Sequence, residues 1–366
     1  MATKKPMKRT PQEWRNIYKG RYHTYEDFTN KLQNLISVLL QEHKVDAQIE
    51  SRTKSIESFV EKIQREGKNY HSPLEEITDL VGIRIIAYYK EDVDKIGEII
   101  KTEFDVDWKN SIDKVQTLDP DRFGYLSVHY VISLPSPRKE LTEWNAFANI
   151  KAEIQVRTVL QHAWAAINHK LIYKTAKEVP KNLRRQLFRL SALLELADEE
   201  FSNLRKRTKE VEEHYSQELK KGKLDIELDL SSLDVYIEST KQDLKWMKIA
   251  EEVGYSRFQD KLPEIEEDRL QSAKSVLLTN LWSIGIKTIN ELDEILESAS
   301  KWGEAVLARF SKMLSDEGIT LQANPYEVIL FIVLYARGEV VTDEFLKQTG
   351  IRADVLAAIR EVIRTK

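Results

Sequence analysis

The chain has 366 residues, 42% of them hydrophobic and 32% charged, with a formal net charge of −4. That is enough apolar material for two domains with real cores, and too acidic a balance for a protein that coats nucleic acid. The absence of cysteine excludes disulfides, thiolate nucleophiles and cysteine-ligated zinc and suits the cytosol, while no window approaches the ~20 apolar residues of a membrane span.

The first stretch, MATKKPMKRTPQEWR, is basic with no apolar run behind it. It reads as a solvated arm over residues 1–24, not as a secretory signal. From residue 25 to 66 the pattern is helical. Phe28, Leu32, Leu35 and Leu39 step at helical spacing, IESFVEKIQREG continues them, and Gly67 ends the run. The period then changes. DLVGIRIIAYY is β-branched and aromatic and reads as a buried strand, VDKIGEIIKTEF as an amphipathic helix, and YLSVHYVISL and NIKAEIQVRT as two further strands. Helix, strand, helix and strands predict an α+β domain.

Helices follow. RTVLQHAWAAINHKLIYK is one. The next carries Leu183, Leu187, Leu190, Leu194, Ala197, Phe201 and Leu204 at heptad steps, a stripe that suits either packing on its own domain or a dimer seam. Residues 205–225 are almost all polar and mark the best boundary. The division expected is 25–220 for the first domain and 221–366 for a mostly helical second one, within which FLKQTGIRADVLAAIREVI reads as helix, glycine turn and helix.

Candidate chemistry lies on the strands. In IKAEIQVR, Ile150, Ala152, Ile154 and Val156 face one way, and Lys151, Glu153, Gln155 and Arg157 the other. A solvated face explains such a pattern equally well. Asp79 opens the strand that contains Arg84, and an arginine inside an apolar run must meet a carboxylate, an aromatic ring or a ligand. Arg52, Lys54, Ser55 and Lys62 gather near one helix start and suit phosphate oxygens. In DRFGYLSVHY, Tyr125, Ser127 and His129 share one strand face. His162 and His169, seven apart on a helix, are spaced poorly for a metal and read as structural.

In chain order, SRTKS, DLVGIRII, GYLSVHYVI, EIQVRT and HAWAAINHKLIYK resemble the synthetase domain of the RelA/SpoT family over roughly residues 25–175. The resemblance implies a nucleotidyltransferase-like mixed β-sheet flanked by helices. It implies transfer of the β,γ-pyrophosphoryl group of ATP to a ribose 3′-hydroxyl, with Mg²⁺ as cofactor. GDP or GTP is the implied acceptor and (p)ppGpp the product; the tRNA 3′-CCA end, used by some toxic relatives, is the alternative. Residue by residue, Asp79 and Glu153 become metal ligands and catalytic groups. Arg52, Lys54, Ser55, Lys62 and Arg84 become ATP contacts, and Tyr125, His129, Gln155 and Asn168 acceptor contacts.

The chain also departs from the family pattern. Leu126 stands where an arginine is usual, the preceding loop carries Asp119 and Asp121 beside Arg122, and Asn168 replaces a glutamate. No His-Asp dipeptide occurs, so the alarmone hydrolase of the bifunctional relatives is not expected. For the C-terminal domain, a regulatory role and a protein ligand are expected, as in fused antitoxin-like forms. The protein is expected in the cytoplasm, away from membranes, with its oligomeric state open.

Overall fold

A computed structural model describes residues 9–68, 70–113, 127–173, 181–258, 263–316, 322–338 and 360–362. Helix α1 (Pro11–Glu42) starts where its sequence supplies a start. Thr10 accepts from the Glu13 N–H, Glu13 reaches back to the Thr10 N–H, and Pro11 opens the first turn. The helical pattern read from residue 25 therefore begins at Pro11.

The same pattern does not run on to residue 66. At Lys44 the backbone turns left-handed (φ 53°), and the chain leaves the helix as strand β1 (Ala47–Thr53). Half-buried and exposed residues alternate along AQIESRT, which is a period of two. Helical repeats on either side had masked it. After α2 (Ile56–Gln64) and a turn of helix, α3 (Pro73–Glu76), come β2 (Val81–Ala87) and α4 (Lys90–Glu103). Two short strands follow that the sequence did not reveal, β3 (Asp105–Val106) and β4 (Ile112–Asp113). Then come β5 (Val128–Ser133), the short α5 (Ser136–Lys139), β6 (Ala152–Thr158), α6 (Val159–Tyr173) and α7 (Lys181–Lys220).

The sheet has the order β1-β2-β6-β5-β3, with β4 beside β5. Among the described residues of this sheet, β2 and β6 pair in parallel and the other pairs are antiparallel. One face of the sheet is the core. Ile83 and Ile85 of β2, Ile154 and Val156 of β6, and Ile132 of β5 meet Phe28, Leu32 and Ile36 of α1 and Ile96 and Ile100 of α4. Each such side chain contributes about 1.5–3 kcal/mol by leaving water. Gly97 lets α4 approach closely, since a Cβ there would sit 2.6 Å from the Tyr130 hydroxyl.

Within this chain helix α7 covers only part of its leucine stripe. Leu187, Leu194 and Ala197 are half-buried, whereas Leu190 and Phe201 are exposed. The residues it turns inward are polar: Ser191 and Asp198 are buried. Thr158 donates to Asp198 (2.6 Å), and Arg205 bonds the buried Asp92 while lying 4.3 Å over the Tyr89 ring. Leu183 and the helix–turn–helix pattern near the C-terminus lie outside the side chains described, apart from residues 360–362.

The chain divides into two compact units, Met1–Arg205 and Lys206–Lys366. The polar segment 205–225 contains that division, yet α7 continues through it as helix as far as Lys220. The second unit contains α8 (Leu230–Thr240), α9 (Gln242–Glu252), β7 (Ser256–Arg257), α10 (Pro263–Ser283), α11 (Ile289–Ala299), α12 (Gly303–Asp316), β8 (Gln322–Ala323) and α13 (Pro325–Ala336). Its short β7–β8 pair was not expected from sequence. Helix α13 is buried all round, from Val328 to Leu334, as the central helix of a bundle must be. No helix among the described residues is long and apolar enough to cross a membrane.

Candidate active site

The second face of the sheet carries the chemistry, and strand register explains why. Gly82 of β2 lies opposite both Arg52 of β1 and Glu153 of β6. Two residues along, Arg84 lies opposite both Glu50 and Gln155, and Gln155 lies opposite His129 of β5. Cross-strand partners share a face, so these side chains form two polar rows. A cleft of about 280 Å³ runs over them, lined among others by Arg52, Asp79, Gly82, Arg84, Glu153 and Gln155.

Asp79 stands at the entrance to β2. Lys54 Nζ lies 3.0 Å from its Oδ2 and Lys62 Nζ 2.8 Å from its Oδ1. Burial alone would raise this carboxyl. The hydrogen bonds and charges of the two ammonium groups outweigh burial and hold it below the ordinary aspartate value. The lysines arrive from different elements: Lys54 follows β1, and Lys62 is in the last turn of α2. Backbone bonds fix the first of them. The Lys54 N–H donates to Leu80 O (2.9 Å), and the buried Tyr18 hydroxyl donates to Lys54 O (2.6 Å). Ser55 caps α2, accepting from the Ser58 N–H at 3.2 Å. Arg84 bonds Glu50, which answers the need for a carboxylate partner, but its buried Nε has no hydrogen-bond partner among the described residues.

Glu153 is held differently. His129 Nδ1 lies 2.8 Å from Glu153 Oε1, and Ser127 Oγ lies 2.7 Å from His129 Nε2. Burial would raise Glu153, but the hydrogen bond and charge of His129 outweigh it, against a smaller opposing effect of Asp79, and the carboxyl is lowered. An ionised Glu153 only accepts, so Nδ1 carries the proton. On the far side of the ring, Nε2 and the Ser127 hydroxyl share the second hydrogen bond. Gln155 Nε2 lies 3.4 Å from Glu153 Oε2, and Arg157 Nη2 bonds Gln155 Oε1. The result is one chain of polar contacts: Ser127, His129, Glu153, Gln155, Arg157. Beside it, burial and the charges of Arg84 and Arg157 outweigh Glu50 and push His162 below the usual histidine value.

The structure thus brings Asp79, Glu153, Arg52, Arg84 and Gln155 to one cleft, with Lys54, Lys62 and His129 bonded to its carboxylates. Asn168 is half-buried on α6 and does not line that cleft; Ser55 stands next to Lys54 as a helix cap. Tyr125 lies outside the described residues, as do Leu126, the loop with Asp119 and Asp121, and the side chain of His169. Sequence reasoning missed Glu50, which became visible only through the β1–β2 register. It assigned no role to Arg157 or Ser127, although both sat in the alternation that had picked out their neighbours.

Two ionised carboxylates facing one cleft fit Mg²⁺, which prefers hard oxygens and usually takes one or two protein carboxylates together with phosphate oxygens. No group of three or more histidines, aspartates or glutamates placed to hold a metal occurs among the described residues. Asp79 and Glu153 are therefore the residues that would hold it, completed by a ligand.

Comparison with known proteins covers the same part of the chain. Residues 51–178 match the region found in RelA/SpoT proteins. The chain is 29% identical over 208 residues to the GTP pyrophosphokinase YwaC of Bacillus subtilis (strain 168), covering 55% of this chain and 94% of the relative. It is 26% identical over 213 residues to the GTP pyrophosphokinase YjbM of the same organism, covering 58% and 97%. The crystal structure of small alarmone synthetase 2 from Bacillus subtilis matches at 30% identity over 52% of this chain and 98% of that one, with a TM-score of 0.43.

Proposed function

From the premise that this chain carries a RelA/SpoT region over residues 51–178, we propose that it is an ATP-dependent pyrophosphokinase. It moves the β,γ-pyrophosphoryl group of ATP to the ribose 3′-hydroxyl of GDP or GTP and makes (p)ppGpp. The observation that carries this reading is the convergence of Asp79 and Glu153 on one cleft, each with its own cationic or imidazole partner. The names of the two Bacillus relatives agree with it.

Transfer of this kind depends on positioning and on neutralising phosphate charge. Lys54 and Lys62 now neutralise Asp79. With ATP bound they turn to its phosphates, freeing Asp79 for the metal. Mg²⁺ held by Asp79 and Glu153 would supply charge neutralisation at the phosphates. Arg52 and Arg84 lie on neighbouring strands and offer guanidinium planes on which adenine stacks. Glu153 accepts the proton of the attacking 3′-hydroxyl, and His129 holds it ready through the Nδ1 bond. Tyr125 and Asn168 complete the acceptor side.

The test uses γ-³²P-ATP and Mg²⁺ with GDP, GTP, AMP or deacylated tRNA offered in turn. Label on a guanine nucleotide supports the reading. Label on tRNA alone replaces the acceptor, and no label on any acceptor overturns the chemistry. We also assign the second unit a regulatory role: removing the residues after Lys220 should change transfer, and unchanged rates with and without them would refute that role.

A further inference from the structure

Arg157 is an expensive residue. It is only 7% exposed, on the same sheet face as Glu153 and Gln155. Burial, with the charge of Arg84 acting the same way, pushes its guanidinium down to about 10, so it stays charged at neutral pH. No ion pair neutralises it among the described residues, and its buried Nε has no partner there. Glu50 and Glu153 favour its charge only from beyond ion-pair distance, and burying a charge without a carboxylate in contact is costly. Its hydrogen bond goes instead to the neutral carboxamide oxygen of Gln155.

That bond has a directional consequence. An arginine only donates, whereas a glutamine amide offers one oxygen and two N–H groups in nearly the same shape. Facing Arg157, Gln155 must present its oxygen. Its nitrogen is thereby turned to the opposite side, where Glu153 Oε2 lies 3.4 Å away. An ionised carboxylate accepts only, so both neighbours of Gln155 demand the same orientation. Gln155 also lines the cleft, and in register it stands between Arg84 on one side and His129 on the other. It therefore occupies the boundary between the two halves of the site.

We propose that Arg157 is a positioning residue that locks the Gln155 carboxamide with its N–H groups toward Glu153 and the cleft. The acceptor nucleotide must then place a hydrogen-bond-accepting atom, a hydroxyl or carbonyl oxygen or a ring nitrogen, against Gln155. The inference deepens the reading of the reaction given above and rests on it. Arg157 touches neither nucleotide; it acts through Gln155.

A double-mutant cycle on the full chain tests this. Arg157→Met should raise the KM for the acceptor and lower kcat/KM about 10-fold, the worth of one misdirected hydrogen bond, with the KM for ATP unchanged. Arg157→Lys, which still only donates, should restore most of the loss. In a Gln155→Ala background, Arg157→Met should change kcat/KM by less than about 2-fold, because its target is gone. Arg157→Gln, which keeps a polar group but can offer an oxygen, replaces the methionine variant where that one does not fold. Losses that multiply in the double variant, or a single variant with unchanged acceptor KM, would overturn the proposal while leaving the reaction intact. A wild-type protein that labels no acceptor would sink the reaction, and the proposal with it.

Discussion

Asp79 and Glu153 line the same cleft, and both are held ionised, but by opposite means. Asp79 is clamped between two ammonium groups, Lys54 and Lys62, point charges on flexible stems. Glu153 is bonded by an imidazole that is itself fixed by a serine, and it is flanked by a glutamine fixed by an arginine. The first arrangement holds by charge alone and would yield to a competing polyanion under the proposed reaction. The second is built to stay where it is. The same charge at the two ends of one site therefore serves different tasks, and the difference is written in the flexibility and donor count of the partners.

Removing the carboxylates should have the largest effect. Asp79→Asn and Glu153→Gln should each lower transfer from labelled ATP by on the order of 10³-fold, but only the first should also weaken ATP binding measured by calorimetry. Equal effects on ATP affinity would break the distinction between the two ends. Next comes the floor of the cleft. Gly82 lies between Arg52 and Glu153, so Gly82→Leu should fill the space and raise the KM for ATP by at least about 10-fold. Far-ultraviolet circular dichroism should stay unchanged.

A smaller effect is expected on stability against pH. The folded-state pKa of Asp79 is below its ordinary value of 3.8. The stability it contributes is therefore present above that value and lost as pH falls through the lower, folded-state value. Asp79→Asn should be less stable than wild type in urea unfolding at neutral pH, with the gap closing as the pH falls below 3.8. A gap that stays constant over that range would show that the lysine clamp does not hold in solution. The smallest effect should come from Ser127→Ala. Losing one hydrogen bond to His129 should reduce kcat about 3-fold and leave the KM for ATP alone.

Much of this site was legible in the sequence because β6 alternates from Ala152 to Val156, before buried Arg157 and Thr158 break the pattern. Ala152, Ile154 and Val156 are buried in the core, and Glu153 and Gln155 face the cleft. The α+β fold and the helices α4, α6 and α7 were legible for a similar reason: each is long enough to show its own period. β1 was not, because seven residues between two helices, none of them fully buried, carry too little apolar contrast to break a helical reading. The pairing of Glu50 with Arg84 depended on that missed strand. β3, β4, β7 and β8 are two residues each, below any periodic signal. Arg157 was visible as one of four polar residues on a face, but nothing in one dimension says that it meets an amide and not a carboxylate. The α7 stripe was legible as a face, but heptad spacing does not state what covers it, and within this chain Ser191 and Asp198 took the inside.

The parallel pairing of β2 with β6 also sets a timetable. β6 is the last strand of its sheet in chain order, yet it lies between β2 and β5, with partners on both sides. As the chain emerges from a ribosome, the lysine clamp on Asp79 can form once residue 87 is out, because β1, α2 and β2 are neighbours in sequence. Glu153 cannot join until β6 slots between two waiting edges, a step with a long loop to close. One half of the cleft is thus encoded and paired through neighbouring elements, while the other half depends on the last strand made.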